Sequence, residues 1–171
     1  MKSAQHPIHV IIDTDALEIF SDKNLYAQTL IPNLCDRLGF RLHVLNSRLT
    51  GYLAYGYPST NALDVIHCRS NESCTCSRHG CIRDAVLSVI DTDAFLIAIV
   101  AAPDSICLAS YADRIFATGM ARNACEERQY PHHPVVQWTD VERIIMTLAT
   151  GNRFTPRRQA RLQRMDAFKS E

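Results

Sequence analysis

The stretch Val10-Ile11-Ile12-Asp13-Thr14-Asp15 decides the fold of this chain. Three apolar residues in a row predict a short strand that is buried on both faces, as in a parallel sheet. Asp13 and Asp15 follow directly. Because strand side chains alternate, we expect both carboxylates to point at one place above the sheet edge, with Thr14 directed elsewhere. Such a pair could divide the work of nucleophile and proton carrier, or it could supply oxygen ligands to a divalent cation.

Strand-like and helix-like stretches alternate along the rest of the chain. Apolar runs predict further strands at residues 41–45, 95–100 and 114–117. Helical spacing predicts helices at residues 17–38, 82–90, 106–112 and 120–128, the first with a break at Pro32 and a C-terminal cap at Gly39. A capping box, Thr139-Asp140-Val141-Glu142, predicts the start of another helix. We therefore predict a three-layer α/β/α, Rossmann-like fold with a mostly parallel sheet, in which ligands bind at the carboxyl ends of the strands.

Length and charge indicate a single domain without a strong overall field. The chain has 171 residues, 18 Lys and Arg and 18 Asp and Glu, so we expect no nucleic acid partner. The domain is expected to span residues 1–151, followed by a basic tail at residues 152–171 with six Lys and Arg against two acidic side chains. The tail could form a loosely amphipathic helix, but its composition favours a solvated and partly disordered segment.

Cysteine content and apolar run length bear on the compartment. Seven cysteines without a visible export signal favour a reducing, cytoplasmic location, where thiols fill cores or bind metals. The longest apolar run, residues 94–102, is about half as long as a membrane span, so no membrane contact is expected. We expect a small-molecule ligand, and a homodimer is compatible with the sequence.

Three segments carry a family resemblance. Ile12-Asp-Thr-Asp-Ala16 is followed, after a cysteine cluster and a buried strand, by Leu108-Ala-Ser-Tyr-Ala-Asp-Arg-Ile-Phe-Ala117. In this order they resemble motifs of the haloacid dehalogenase (HAD) superfamily, whose phosphoserine phosphatase and methylthiopentenyl-phosphate phosphatase branch has an A-x-x-A-D-x-V-F-A string. Residues 126–141 resemble the end of that branch. The resemblance implies a HAD-type fold, here nearly capless because the cap is reduced to about residues 17–39.

The resemblance also implies roles for the aspartates. In that family the first Asp attacks phosphorus and the second acts as acid and base, which here gives Asp13 and Asp15 as catalytic residues. A Ser or Thr after the second strand binds phosphate, and this position falls near Asn46, with Ser47 adjacent. Asn46 and Ser47 are therefore expected to bind substrate next to the aspartates, together with Arg83 and Asp104.

The remaining family positions depart from the pattern. The lysine that neutralises phosphate charge falls on Ile82, with Arg83 next to it. The Mg²⁺-binding turn falls on residues 100–105, where both of its carboxylates are missing, and Arg83 or Asp104 could compensate in part. Phosphoryl transfer depends on such charge stabilisation, and each lost group typically lowers the rate by about 10²–10³. We therefore expect neither Mg²⁺ nor efficient phosphatase activity.

A cluster of soft ligands lies in a predicted insertion at residues 68–81. It contains Cys68, Cys74, Cys76, His79 and Cys81. Zinc takes four thiolate or imidazole ligands in tetrahedral geometry, so this knot could hold a structural zinc. The alternative is a reduced, partly buried loop without metal, since the spacing matches no standard zinc finger.

These observations lead to three functional expectations. The first is a repurposed, metal-independent acid/base catalyst of the isomerase, dehydratase, cyclase or lyase type, which uses Asp13 and Asp15 in a pocket made apolar by Ile82, Ala101 and Ala102. It would need no cofactor. The alternative is a non-catalytic HAD-like binding or assembly module, a pseudophosphatase. The second alternative is a residual Mg²⁺-dependent small-molecule phosphatase.

Overall fold

A computed structural model describes residues 6–21, 25–46, 64–67 and 82–169. In these ranges the chain forms six strands and six α-helices, with one 3₁₀ helix at Pro103–Ser110. The strands are β1 (Ile8–Asp13), β2 (Arg41–Asn46), β3 (Asp64–His67), β4 (Phe95–Val100), β5 (Arg114–Ala117) and β6 (His133–Pro134). The helices are α1 (Thr14–Ser21), α2 (Leu25–Leu38), α3 (Ile82–Leu87), α4 (Gly119–Glu127), α5 (Trp138–Thr150) and α6 (Arg158–Lys169).

The strands form one parallel sheet in the order β3-β2-β1-β4-β5-β6. The chain moves outward from β1 through β2 to β3 and then returns to the other side of β1 to start β4. This is the strand order of Rossmann-like doubly wound sheets, in which the strand order reverses at a switch point and ligands bind beyond the carboxyl ends of the strands there. The switch point of this protein lies between β1 and β4, and the predicted Rossmann-like α/β fold is confirmed.

Two apolar cores lie on opposite faces of the sheet. Alternate positions of β1 and β4 supply both cores, because successive strand side chains point to opposite faces. Ile11 and Leu96 pack with α3, the 3₁₀ helix and α4. Val10 and Ile97 pack with α1, α2 and α5. The layers are therefore helix, sheet and helix, and every residue of β1 and β4 is buried.

The helix boundaries differ from the prediction at several positions and agree with it at Gly39. The helix predicted at residues 106–112 is the 3₁₀ helix Pro103–Ser110, and the capping box of α5 is formed by Gln137 and Asp140 rather than by residues 139–142. The predicted break at Pro32 is wrong, because α2 continues through Pro32. One missing N–H removes one helical hydrogen bond, and Leu30, Ile31 and Leu34 bury the helix against the sheet regardless. The predicted cap at Gly39 is confirmed: Gly39 has φ +70°, and the Phe40 N–H donates to the Cys35 carbonyl at 2.8 Å, as in a Schellman motif.

The basic tail is folded against the domain, which corrects the expectation of a solvated segment. Helix α6 buries Ala160 and Arg164. The Arg164 guanidinium is fully buried and lies 3.1 Å from the Asp113 carboxylate, and it also donates to the carbonyls of Ala94 and Tyr111. Ala94 and Asp113 precede β4 and β5, so α6 is anchored at the amino ends of these strands. In the described part of the chain no helix is long and apolar enough to cross a membrane.

Candidate functional site

Asp13 lies at the switch point, and backbone N–H groups surround its carboxylate. Its Oδ1 accepts the Ala16 N–H at 2.7 Å, which makes Asp13 the N-cap of α1. Its Oδ2 accepts the N–H groups of Ala101 and Ala102 at 2.9 and 3.0 Å. The side chain has no exposed surface. One carboxylate therefore links the end of β1, the first turn of α1 and the segment that follows β4.

The environment of Asp13 acts on its acidity in two opposing directions. Burial raises the pKa of Asp13 above its ordinary value, and the three backbone N–H donors and the Ser105 hydroxyl oppose that rise. Ser105 is fully buried, and its Oγ forms no hydrogen bond of standard geometry with the described residues. Ser105 is thus a polar neighbour of Asp13; it ends the segment 100–105 that was singled out from the sequence, although the serine itself was given no role there.

Asp15 does not lie at the end of the strand with Asp13, as the alternation of strand side chains had predicted. The strand ends at Asp13, and Thr14 and Asp15 form the first turn of α1. Side chains in a helix do not alternate, so the alternation rule does not extend to Asp15. Asp15 is partly exposed whereas Asp13 is fully buried. The two carboxylates are close in sequence but occupy different environments.

The other predicted site residues are distributed around the domain. Asp104 is exposed in the first turn of the 3₁₀ helix, next to the segment that binds Asp13. Asn46 is the last residue of β2, and Ser47 lies outside the described residues. Arg83 binds elsewhere: it donates to Asp84 at 2.9 Å and lies 5.9 Å from the centre of the Tyr111 ring. Asp104 thus follows the segment that binds Asp13 by two residues, and Arg83 is paired with Asp84.

The predicted pocket residues are part of the protein interior. Ile82 packs in the core on the α3 side of the sheet. Ala101 and Ala102 are buried and meet Asp13 through their backbone N–H groups. The backbone N–H groups, whose partial positive charge repels a cation, occupy the Asp13 oxygen that a cation would need. The donor set at the switch point does not fit Mg²⁺.

Metal ligands were also predicted in the cysteine cluster. Cys68, Cys74, Cys76, His79 and Cys81 lie outside the described residues. Among the residues that are described, no group of three or more His, Cys, Asp and Glu side chains is arranged to hold a metal ion. Burial raises the pKa of the Cys35 thiol to about 12 and that of the Cys125 thiol to about 11, so these two cysteines are core residues with unreactive thiols.

A second polar cluster lies near the amino ends of the strands and was not predicted from the sequence. The buried rings of His9 and His43 are nearly parallel, at 4°, with 5.1 Å between their centroids, and His9 Nδ1 lies 2.9 Å from His43 Nε2. His9 Nε2 lies 3.3 Å from the carboxylate of Asp91, which also binds Arg41. A carboxylate only accepts hydrogen bonds, so His9 donates from Nε2 and accepts at Nδ1 from His43. No local pattern indicates this pairing, because it joins neighbouring strands 34 residues apart.

No protein-family model matches the sequence, and no curated protein matches it.

Proposed function

We propose that this protein is a non-catalytic, HAD-like binding or assembly module, a pseudophosphatase whose first aspartate has become a structural residue. The observation that carries the proposal is the arrangement around Asp13. A nucleophilic carboxylate must present an oxygen to its substrate, and a proton carrier must reach the atom it protonates. Both oxygens of Asp13 accept backbone N–H groups, and the side chain is completely buried.

The position of Asp13 explains why a carboxylate is retained without its catalytic partners. The switch point of a Rossmann-like sheet, with a helix N-terminus beside it, is a place where anions bind. Here the anion is supplied by the protein itself, since Asp13 accepts three N–H groups that would otherwise face a ligand. Leaving a buried N–H without a partner costs about 1–3 kcal/mol. This cost is sufficient reason to keep Asp at this position in the absence of chemistry.

An exposed apolar surface near the carboxyl ends of the strands supports a binding role. Three large apolar side chains are exposed there: Ile19 by 50%, Met120 by 66% and Val136 by 79%. A methyl group added at Gly119 would lie 3.3 Å from Ile19 Cδ1, so α1 and the start of α4 are adjacent. The Val135 N–H donates to the Ala117 carbonyl at 3.0 Å, which places Val136 beside the same turn. We name these three residues the edge patch, and large apolar side chains exposed at one end of the sheet favour an interaction site.

Metal-independent acid/base catalysis is the second candidate, because burial raises the pKa of Asp13 and Asp15 remains partly exposed beside it. This candidate requires that a ligand enter and displace at least one backbone N–H from Asp13. A small-molecule ligand would then bind at the switch point itself. The free thiols of Cys35 and Cys125 support a reducing, cytoplasmic location for either candidate.

Carbodiimide labelling of the native protein separates the two candidates without knowledge of a substrate. With glycine ethyl ester as the amine, we expect exposed Asp104 to be modified and Asp13 to stay unmodified, as read by peptide mass spectrometry. A parallel assay of p-nitrophenyl phosphate with Mg²⁺ should give the same background rate for the wild type, Asp13→Asn and Asp104→Asn. Labelling of Asp13 as fast as Asp104, or Mg²⁺-dependent turnover lost only in Asp13→Asn, would show a functional aspartate.

A further inference from the structure

Two arginines of the C-terminal segment hold the end of the 3₁₀ helix. Their guanidinium groups donate to the consecutive carbonyls of residues 109–111, Arg157 to the first two at 2.7 and 3.2 Å and Arg164 to the third. Both residues also bind Asp113, Arg157 through its backbone N–H at 2.6 Å and Arg164 through its side chain at 3.1 Å. Because they share neighbouring carbonyls and one carboxylate, the two guanidinium groups lie close to each other.

Each of these guanidinium groups keeps one buried donor that the contacts above do not use. The Nε atoms of Arg157 and Arg164 are shielded from solvent, and neither has a hydrogen-bond partner among the described residues. A guanidinium group only donates hydrogen bonds, and a buried donor without an acceptor is costly. Such donors are rare in folded proteins, and a bound water or ion is one explanation for them. The two Nε–H groups are therefore available to a ligand that carries acceptor atoms.

The charge of this cluster favours an anion over a neutral ligand. Arg114 donates to the Asp113 carbonyl at 2.8 Å, so three guanidinium groups lie around one carboxylate, an excess of two positive charges. Burial lowers the pKa of Arg157, and Asp113 opposes this change. The charges of Arg164 and Arg114 lower it further. Asp166 is exposed and lies about 200° around the helix from Arg164, two residues away, so it is on the other side of α6.

We propose that a phosphate-type oxyanion binds between Arg157 and Arg164, at the amino ends of β4 and β5. Its oxygens accept the two Nε–H groups in charge-assisted hydrogen bonds, for which arginine and phosphate are well matched. α6 begins at Arg158, directly after Arg157, and the positive end of its dipole also attracts an anion. Arg157 is partly exposed, which gives the ion a route from solvent. The site goes beyond the proposed function, because Asp13 lies at the opposite, carboxyl end of β1.

Isothermal titration calorimetry with inorganic phosphate tests the proposal, with sodium chloride at the same ionic strength as the blank. We expect saturable binding with a Kd of about 1 mM, since a few charge-assisted hydrogen bonds to a small ion give weak affinity. Arg157→Met should raise the Kd about tenfold or more, because it removes a charged donor. Arg157→Lys keeps the charge but lacks the Nε–H, so it should raise the Kd by a smaller factor. The matched control Arg161→Met removes an exposed charge from the same helix and should change the Kd by less than about twofold.

Arg157 is changed rather than Arg164, because the fold is expected to need Arg164. Circular dichroism checks that each variant is folded, and the wild-type titration tests the proposal even if a variant is not. The absence of saturable heat up to about 20 mM phosphate, or an unchanged Kd in both Arg157 variants, would overturn it. Phenyl phosphate identifies the source of the oxyanion. Tighter binding than inorganic phosphate supports a site for the phosphate group of a larger molecule, and equal or weaker binding supports a site for the free ion.

Discussion

Replacing Arg164 by Met should destabilise the fold by several kcal/mol. Met keeps much of the hydrocarbon volume of the arginine but removes the guanidinium, which is fully buried and lies 3.1 Å from the Asp113 carboxylate. Two backbone carbonyls, of Ala94 and Tyr111, lose their donor as well. Removing one partner of a buried ion pair typically costs about 3–5 kcal/mol, a large share of the roughly 5–15 kcal/mol by which domains are stable.

Urea unfolding followed by circular dichroism measures this loss. The matched control is Arg161→Met, an exposed arginine on the same helix, which should change the free energy of unfolding by less than about 0.5 kcal/mol. Asp113 retains two further donors, the N–H groups of Leu96 and Arg157 at 2.8 and 2.6 Å. The double variant Arg164→Met, Asp113→Asn should therefore be less destabilised than the sum of the single changes. A loss below about 1 kcal/mol in Arg164→Met would refute a structural role for the pair.

Two further predictions concern the His9–His43 pair at the amino ends of the strands and Gly39 at the end of α2. Burial lowers the pKa of His9 below 6.5, so the unfolded chain binds a proton first and stability should fall as the pH drops below about 6.5. The variant His9→Phe, His43→Phe should be near wild-type stability at pH 7.5 and should lose stability less steeply as the pH falls. Urea unfolding at several pH values measures this dependence. If the free energy of unfolding of the variant falls with pH as steeply as that of the wild type, the histidine pair is not the cause of the pH dependence. Gly39→Ala, at φ +70°, should cost about 1 kcal/mol in thermal unfolding, whereas Gly151→Ala, at φ −84°, should cost less; equal losses would mean that backbone strain is not the cause.

The strands were the most predictable part of the fold. Residues 8–12 and 95–100 are apolar almost throughout, and strands of this kind are stable only when both faces are covered, which in turn implies parallel pairing and helices on each side. Strand β3 could not be predicted, since Asp64-Val-Ile-His67 has only two apolar residues. Its pairing with β2 is a long-range property that local composition does not record.

The site was predicted in its location but not in its geometry. An aspartate after a buried strand points to the carboxyl edge of the sheet, and Asp13 lies there. The hydrogen bonds that define its role come from Ala101 and Ala102, 88 and 89 residues away. Backbone N–H groups have no signature in a sequence, so a carboxylate that accepts them cannot be distinguished from a catalytic one by motif alone.

Arg164 shows the same limit for charged residues. In a run rich in arginine, each side chain is expected to face water, because burying a charge is costly without a partner. The partner, Asp113, lies 51 residues earlier in the chain. A hint was present in the apolar or small residues Ala160, Ala167 and Phe168, which share a helical face with Arg164. This face could have indicated a docked helix, but not that an arginine would occupy its centre.

The most direct test of a structural Asp13 is the free energy of unfolding of Asp13→Asn, with Asp104→Asn as the exposed control. An amide presents one carbonyl oxygen, so whichever way it is oriented its NH₂ group faces at least one of the three N–H donors. We expect a loss of about 2 kcal/mol for Asp13→Asn and less than about 0.5 kcal/mol for Asp104→Asn. Unchanged or increased stability in Asp13→Asn would contradict a structural carboxylate and indicate a residue kept for chemistry.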